Sequence, residues 1–369
     1  MTQITPLMQN TFDREPVLAT TIRDLDLALL FRTIQQGLDL RRFNIDDVPG
    51  LTTDALRAGS EEAARSYLER YSGAVWVADE PDHEPRLVLT VAGVLAFTRT
   101  PDRWVQSSGL DLALYDVDLR PLPGGLFAVP SPTQARVYPV RGPIFTVIDR
   151  AVDILRDACS TTYLDGARIM TRTDIPINVL RELTANGVVH RDLRLLGELV
   201  RVQVFPTAIE WISPGRLPPE KFPEDVPLTL EMLLRAQYSR NPSLAMFLFH
   251  GGYIEKFGFG LDDVVATLAA NGREAPGFHN DTHSFRVRVV RDRIAESEPL
   301  LRDTPEGREQ RIMALFAETP IWVPQAIEAR LKIPRSTLHR DLRRLTQAGI
   351  LRAVGATHSR YYQRVDPEP

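Results

Sequence analysis

Arg181-Glu182-Leu183-Thr184-Ala185-Asn186-Gly187-Val188-Val189-His190-Arg191-Asp192 stands at the middle of the chain and reads as the end of a helix. Glu182, Asn186 and His190 recur at i, i+4 and i+8, which places all three along one helix face. Such a face, beside Leu183 and Val189, can hold a metal-bound phosphate. Asparagine offers Mg²⁺ a neutral oxygen, and the carboxylate can polarise a water as a general base. On spacing alone an ordinary solvated helix face accounts for the pattern more simply, because polar i,i+4 pairs are common there.

Two glycine-bearing turns follow. Ile212-Ser213-Pro214-Gly215-Arg216-Leu217-Pro218 ends a strand, and Glu255-Lys256-Phe257-Gly258-Phe259-Gly260-Leu261 opens a helix. Glycines at a helix start let backbone N–H groups approach phosphate oxygens closely. Around these turns the periodicity predicts helices over 144–158, 177–189, 229–238, 242–250 and 261–270. It predicts a strand pair over 199–212 and a closing strand over 284–290. Further upstream, helices are expected over 21–42 and 60–71, the latter capped by Ser60. Strand-like segments are expected at 87–97 and 110–119, and a Pro/Gly-rich loop at 121–132.

Taken in order, the middle motif, Ile-Ser-Pro-Gly-x-Leu-Pro, Ser239-Arg240-Asn241-Pro242 and Ile254-Glu255-x-x-Gly-x-Gly resemble the RecG-like carboxy-terminal ATP-binding domain. Schlafen-like (AlbA-type) bacterial transcriptional regulators carry this domain, which belongs to the GHKL (Bergerat) ATPase superfamily. Thr90 to Phe97, followed by Pro101, is similar to the segment that usually precedes it. The resemblance implies a helix-on-sheet sandwich binding ATP and Mg²⁺ between about residues 87 and 290. It makes Asn186 the metal ligand and Glu182 the water-activating base, with Gly258 and Gly260 at a phosphate lid. Ser213 and Gly215 stand at the nucleotide, Ser213 nearest the place of the superfamily's adenine-reading Asp. The subgroup prefers alanine where Gly187 follows Asn186. An amino-terminal AlbA-like domain is not recognisable, and the chain is expected to start beyond it.

Composition removes several alternatives. Lys221, Lys256 and Lys332 are the only lysines and none stands in a Gly-Lys-Ser/Thr triplet, so P-loop ATPases and helicases are excluded. His190-Arg191-Asp192-Leu193 imitates a kinase catalytic loop, but Gly197 stands where that loop needs asparagine. One cysteine, Cys159, rules out an intrachain disulfide and a multi-cysteine zinc site. His250, His279, Asp281 and His283 match no common metal spacing and are expected in loops, and the four tryptophans in or half in the core. No long apolar run or signal-like start appears, so a cytoplasmic address without membrane contact is expected.

The charge is uneven. The whole chain carries −4, yet residues 308–365 hold eleven Lys and Arg against four Asp and Glu. An anion-binding surface therefore belongs to the tail. There the pattern predicts a winged helix, whose third helix buries Leu338, Leu342 and Leu345 and exposes Arg335, Ser336, His339, Arg340, Arg343 and Arg344. Arginines for guanine edges and phosphates, with hydroxyls for phosphate, are what a recognition helix needs. Arg360 and Tyr361 would extend the surface on the wing. Protein contact is the other use of such a module.

The expected fold class is α+β. An amino-terminal α/β region (1–143) precedes a GHKL-like sandwich on a mixed sheet (144–290), a linker (291–307) and the winged helix (308–369). The expected function is ATP-binding, DNA-binding transcription regulation, with double-stranded DNA as partner and a homodimer as default. Two readings stay open beside it: a DNA-associated ATPase in DNA maintenance or phage defence, with slow Mg²⁺-dependent turnover, and a degenerate scaffold used for dimerisation.

Overall fold

The computed structural model describes residues 11–78, 84–106, 108–118, 120–121, 127–128, 134–165, 168–223, 228–235, 238–255, 259–291, 305–318, 321–331, 333–355 and 361–365. In chain order the elements are α1 (Leu27–Asp39), α2 (Thr53–Ala58), α3 (Glu61–Arg70), β1 (Ala74–Val77), β2 (Arg86–Leu89), α4 (Val91–Phe97), β3 (Leu110–Tyr115), β4 (Arg120–Pro121), β5 (Phe127–Ala128) and β6 (Ala135–Val140). Next come α5 (Ile144–Ala158), β7 (Ser160–Asp165), β8 (Arg168–Thr173), α6 (Ile177–Val189), β9 (Val200–Val204), β10 (Ala208–Pro214), α7 (Leu230–Arg235), α8 (Pro242–His250), α9 (Phe259–Ala270), β11 (Gly277–Asn280) and β12 (Ser284–Val290). The last are α10 (Pro305–Glu318), β13 (Ile321–Trp322), α11 (Pro324–Leu331), α12 (Arg335–Gln347), β14 (Leu351–Val354) and β15 (Tyr361–Arg364). The chain is therefore of mixed α+β class. It forms two compact units, residues 1–160 with 173–292, and residues 161–172 with 293–369.

A six-stranded sheet of order β11-β12-β10-β9-β3-β6 organises the first unit. Every pairing is antiparallel except β3 with β9, so the sheet is mixed and takes strands from both sides of residue 144. All seven residues of β10 are buried, which fits a central strand covered on both faces. Alternate residues Leu110, Leu112, Val200, Val202, Ile209 and Trp211 join one core with Val147, Ile148 and Leu155 of α5 and Val179, Leu180 and Leu183 of α6. The Trp211 indole donates to Thr184 Oγ1 at 3.0 Å and so fixes α6 against β10. That bond orients the face carrying Glu182 and Asn186.

The amino-terminal helices join the same core. Asp26 caps α1 by accepting from Leu29 N at 3.2 Å, so the helix begins at Leu27 and residues 22–24 form a separate 3-10 turn. Ser60 caps α3 as its sequence predicts, accepting from Ala63 N at 3.1 Å. The expected strand over 87–97 divides in two. It pairs with β1 only to Leu89; Thr90 then caps α4, and all seven α4 residues are buried. A helix buried all round lacks a polar stripe, and periodicity cannot tell it from a buried strand.

Two further expectations change. The helix expected over 229–238 is described over Leu230–Arg235, residues 236 and 237 lying outside the described residues, and α10 is described from Pro305, inside the stretch expected as linker. In the second unit, β7 and β8 form a hairpin, and α10, α11 and α12 accompany a three-stranded sheet of order β13-β15-β14. Ile312, Leu315, Phe316, Ile327, Ile333, Leu338, Leu342, Leu345, Leu351 and Tyr362 make its separate core. Asp341 of α12 is 1% exposed and accepts from Arg308 Nε at 2.6 Å, so a buried ion pair ties α12 to α10. Among the described residues no helix is long and apolar enough to cross a membrane.

Candidate functional site

A cavity of about 480 Å³ opens in the first unit between α6, the end of β10, the start of α8 and the start of α9. Glu182, Asn186, Ser213, Gly215 and Gly260 all line it, so five residues singled out from separate motifs meet at one place. Gly258 lies outside the described residues. Lining also come from His190, Ser239, Arg240 and Glu255, and from an apolar wall that includes Phe222, Met246, Phe278 and Phe285. The rings of Phe278 and Phe285 lie nearly parallel, 6.2 Å apart.

The loops are held by buried backbone contacts. Asn241, 1% exposed, donates through Nδ2 to the carbonyls of Val189 and Arg191, both at 2.8 Å, and so fastens α8 to the end of α6. Asp192 N donates to Pro214 O at 2.7 Å, joining that same corner to β10. Gly215 has φ +94°, and a Cβ there would collide with Arg240 and lie 2.5 Å from Asp192 Cβ. Only glycine fits. Gly260 is needed for a different reason: a Cβ there would run into the Glu182 carboxylate. The start of α9 therefore lies directly on the candidate base.

Charge in the cavity is tuned by burial. Glu182 Oε1 accepts from Asn186 Nδ2 at 3.1 Å, which leaves the Asn186 carbonyl oxygen for another partner. Burial pushes the Glu182 carboxyl up to about 7, against the lowering effect of the Asn186 bond and with a smaller push from Glu255 and Asp263. A carboxyl poised near neutral pH suits a proton acceptor. Burial, and then the nearby Arg240 charge, takes the His190 ring down to about 4, so the imidazole is neutral at pH 7. Ser213 Oγ donates to Gly187 O at 2.8 Å; its proton is used, and only its lone pairs face a ligand.

Three polar atoms on this cavity wall are buried without a hydrogen-bond partner: His190 Nδ1, Ser239 Oγ and Arg240 Nη1. The nearest carboxylate oxygen to Arg240 Nη1 is on Asp192, 4.0 Å away. Leaving such a group unmade costs about 1–3 kcal/mol, so three of them on residues lining one cavity, unmade among the described residues, mark a wall that a polar ligand can complete. The set, with one cation and a hydroxyl, fits phosphate oxygens. Among the described residues no three of His, Cys, Asp and Glu cluster as a metal cage. Mg²⁺ commonly needs only one or two protein oxygens when phosphates supply the rest, and Asn186 is placed to give one. By sequence His190 shares the helix face of Glu182 and Asn186, whereas Ser239 and Arg240 have no role of their own; the Asn241-Pro242 opening of α8 is the signal that marks them.

Gly187 has no such requirement. A Cβ there would be in ordinary contact, 3.7 Å from Val200 and 4.0 Å from Trp211, with an unremarkable helical φ. Gly187→Ala should therefore raise the melting temperature, by the roughly 1 kcal/mol that separates glycine from alanine in a helix interior. A lower melting temperature would show that the wall here is tighter than these distances.

In the second unit Arg335, Ser336, Arg340, Arg343 and Arg344 of α12 are exposed and His339 is half-buried. Arg344 Nε donates to Glu309, so part of its charge is already answered. Tyr361, half-buried, begins β15 opposite Val354; Arg360 lies outside the described residues. The weaker candidates separate. His250 is not in a loop: it ends α8, buried, with Nδ1 2.7 Å from the Tyr67 hydroxyl and its ring against Phe43 and Tyr71. Asp281 accepts from the backbone N of His283 and Ser284 and caps their turn. Trp211 is buried, whereas Trp76 is 49% exposed with its indole on Glu69.

No curated protein matches the chain. Among solved structures, the DIP2311 protein from Corynebacterium diphtheriae is similar, with 17% identity over 96% of this chain and a TM-score of 0.49; the chain spans 64% of that protein's length. Residues 197–289 match the family model described as "Putative ATP-dependent DNA helicase recG C-terminal". That segment contains Ser213, Gly215, Arg240, Glu255 and Gly260, and Glu182 and Asn186 precede it. An ATPase-like match over this wall of the cavity points to nucleotide binding.

Proposed function

We propose that the cavity binds ATP with Mg²⁺ in a GHKL-like manner and that the second unit is a winged helix that binds DNA, making the chain a nucleotide-responsive transcriptional regulator. His190 Nδ1, Ser239 Oγ and Arg240 Nη1, on three residues lining the cavity beside Glu182 and Asn186 and without hydrogen-bond partners among the described residues, carry the nucleotide half. In this reading Arg240, Ser239 and the His190 ring receive phosphate oxygens, and Asn186 lends its carbonyl oxygen to Mg²⁺. The bound Mg²⁺ would neutralise phosphate charge. Ser213 Oγ, with only lone pairs to offer, favours a base that presents an amino group. The phenylalanine-lined wall would cover the base. Calorimetric titration of the purified chain with ATP, with and without Mg²⁺, tests this; absence of binding in both conditions would remove the nucleotide reading.

Glu182 at about 7 favours a second reading beside the first, in which the site also hydrolyses what it binds. Its carboxylate, near half ionised at neutral pH, can take a proton from water. Turnover indifferent to DNA fits a regulator with a slow clock; turnover stimulated by DNA fits an ATPase working on it.

The DNA half rests on the exposed cationic row of α12. The paired state of Arg344 sets an order among the variants. Arg343→Ala should reduce the slope of log K against log salt by about 0.9, the value for one lost phosphate contact. Arg344→Ala should change it less, because that guanidinium already has Glu309. Fluorescence anisotropy on one duplex over a salt series reads both. Equal slopes in all three proteins would remove α12 from the DNA interface.

A further inference from the structure

Beside the nucleotide cavity lies a second cavity of about 350 Å³, walled by α1, the start of α5, α6 and the turn after α8. Arg32 of α1 and Arg181 of α6 both line it. Both are exposed, and neither has a hydrogen-bond or ion-pair partner among the described residues. Both charges act on the Tyr253 hydroxyl, which lines the same cavity. Being exposed and without a partner among the described residues, both guanidiniums are open to a ligand in this cavity.

The rest of the wall completes a polar receptor. Tyr253 donates to Asp149 Oδ2 at 2.6 Å, and burial together with that carboxylate keeps the phenol protonated. The single carboxylate is thus already engaged through one oxygen, and the local balance is two cations to one anion. Thr146 and Gln36 add a hydroxyl and an amide. Guanidiniums recognise oxyanions through paired N–H donors, and two of them lining one small cavity favour a multiply charged or bidentate oxyanion.

We propose that this cavity is a second binding site, for a small organic oxyanion such as a phosphomonoester, held between Arg32 and Arg181 with Asp149 Oδ1 free to accept from the ligand's hydroxyls. The site is separate from the nucleotide cavity but shares its framework. Arg181 and Glu182 are neighbours on α6, and Tyr253 precedes Ile254 and Glu255, which line the other cavity.

The experiment is calorimetry on the full chain with three probes: inorganic phosphate, glucose 6-phosphate and glutamate, each repeated with ATP and Mg²⁺ present so that the nucleotide cavity does not contribute. Binding of phosphate or glucose 6-phosphate is expected, with affinity lowered tenfold or more in Arg32→Gln and in Arg181→Gln. Arg57→Gln, an exposed arginine that lines neither cavity, should bind these probes as the unaltered chain does. Preference for glutamate would support the oxyanion site and assign the anion as a carboxylate. Failure of all three probes, or affinity unchanged in both arginine variants, would overturn the proposal. Because both side chains are exposed, the variants are expected to keep the parent melting temperature, and that measurement separates lost binding from lost fold. Loss confined to the Arg32 and Arg181 variants assigns the binding to this cavity whether or not ATP binds.

Discussion

Asn186→Ala should reduce ATP affinity in the presence of Mg²⁺ to the level seen without it, a loss of tenfold or more, while Glu182→Gln should still bind and lose any turnover. A tenfold loss corresponds to about 1.4 kcal/mol, a modest demand on one metal ligand. The two residues share one hydrogen bond, yet their expected effects differ because Asn186 has an oxygen to give and Glu182 a proton to take. Glu182→Gln also has a signature in the ligand-free chain. The folded carboxyl titrates at about 7, above an unfolded value near 4.5, so the folded state holds the proton more tightly. Stability must then fall as pH rises from about 4.5 to 7 and stay level above that window. Glutamine removes the dependence and should raise stability at pH 8, on the order of 2–3 kcal/mol. Melting curves across pH 5–8 for both proteins test the assignment; parallel curves would show that Glu182 is not a buried, proton-holding group.

Asp341→Ala should unfold the carboxy-terminal unit. Asp341 accepts from Arg308 Nε at 2.6 Å and from Nη2 at 3.3 Å, and both residues are buried. Removing one member of a buried pair costs about 3–5 kcal/mol, a large share of the 5–15 kcal/mol that typically holds a whole domain. DNA binding should vanish together with the protease resistance of residues 305–365, and ATP binding by the first unit should persist. The paired replacement Arg308→Met with Asp341→Leu should recover much of the lost resistance, since apolar residues of similar volume often substitute for a buried ion pair at little cost. If Asp341→Ala leaves proteolysis unchanged, the ion pair is not what holds α12 to α10. Comparison with Arg343→Ala keeps the two roles of the helix apart, one residue acting by fold and the other by contact.

How much of this was legible beforehand depends on the range over which each feature is determined. Helices α5, α6 and α8 and strand β12 lie where the sequence pattern places them; in α5 and α6 one face meets the core and the other is exposed. The cap at Ser60 is a local bond between neighbours in sequence. Segment 90–97 was misread because total burial erases the periodic signal, and only its packing decides between helix and strand. β6 and β11, short edge strands of the sheet, carry too little alternation to be recognised before β3 and β12 are there to pair with them.

The site divides along the same line. Residues 182, 186 and 190 share a helix face by arithmetic, so their grouping was determined by sequence alone. That Gly215 and Gly260 come to the same cavity depends on β10 and α9 arriving from later in the chain, and no local pattern encodes that meeting. The missing hydrogen-bond partners of His190 Nδ1, Ser239 Oγ and Arg240 Nη1 are likewise a property of the folded wall, since they depend on which neighbours fail to reach these atoms. So does the carboxyl of Glu182 at about 7, whose cause is burial beneath α9 and not the residues beside it in the chain. The sequence by itself determined which groups the chain owns and which helix faces they occupy. Tertiary structure decided which of them are desolvated, which are paired and which are left to bind, because desolvation and pairing depend on chain segments distant in sequence.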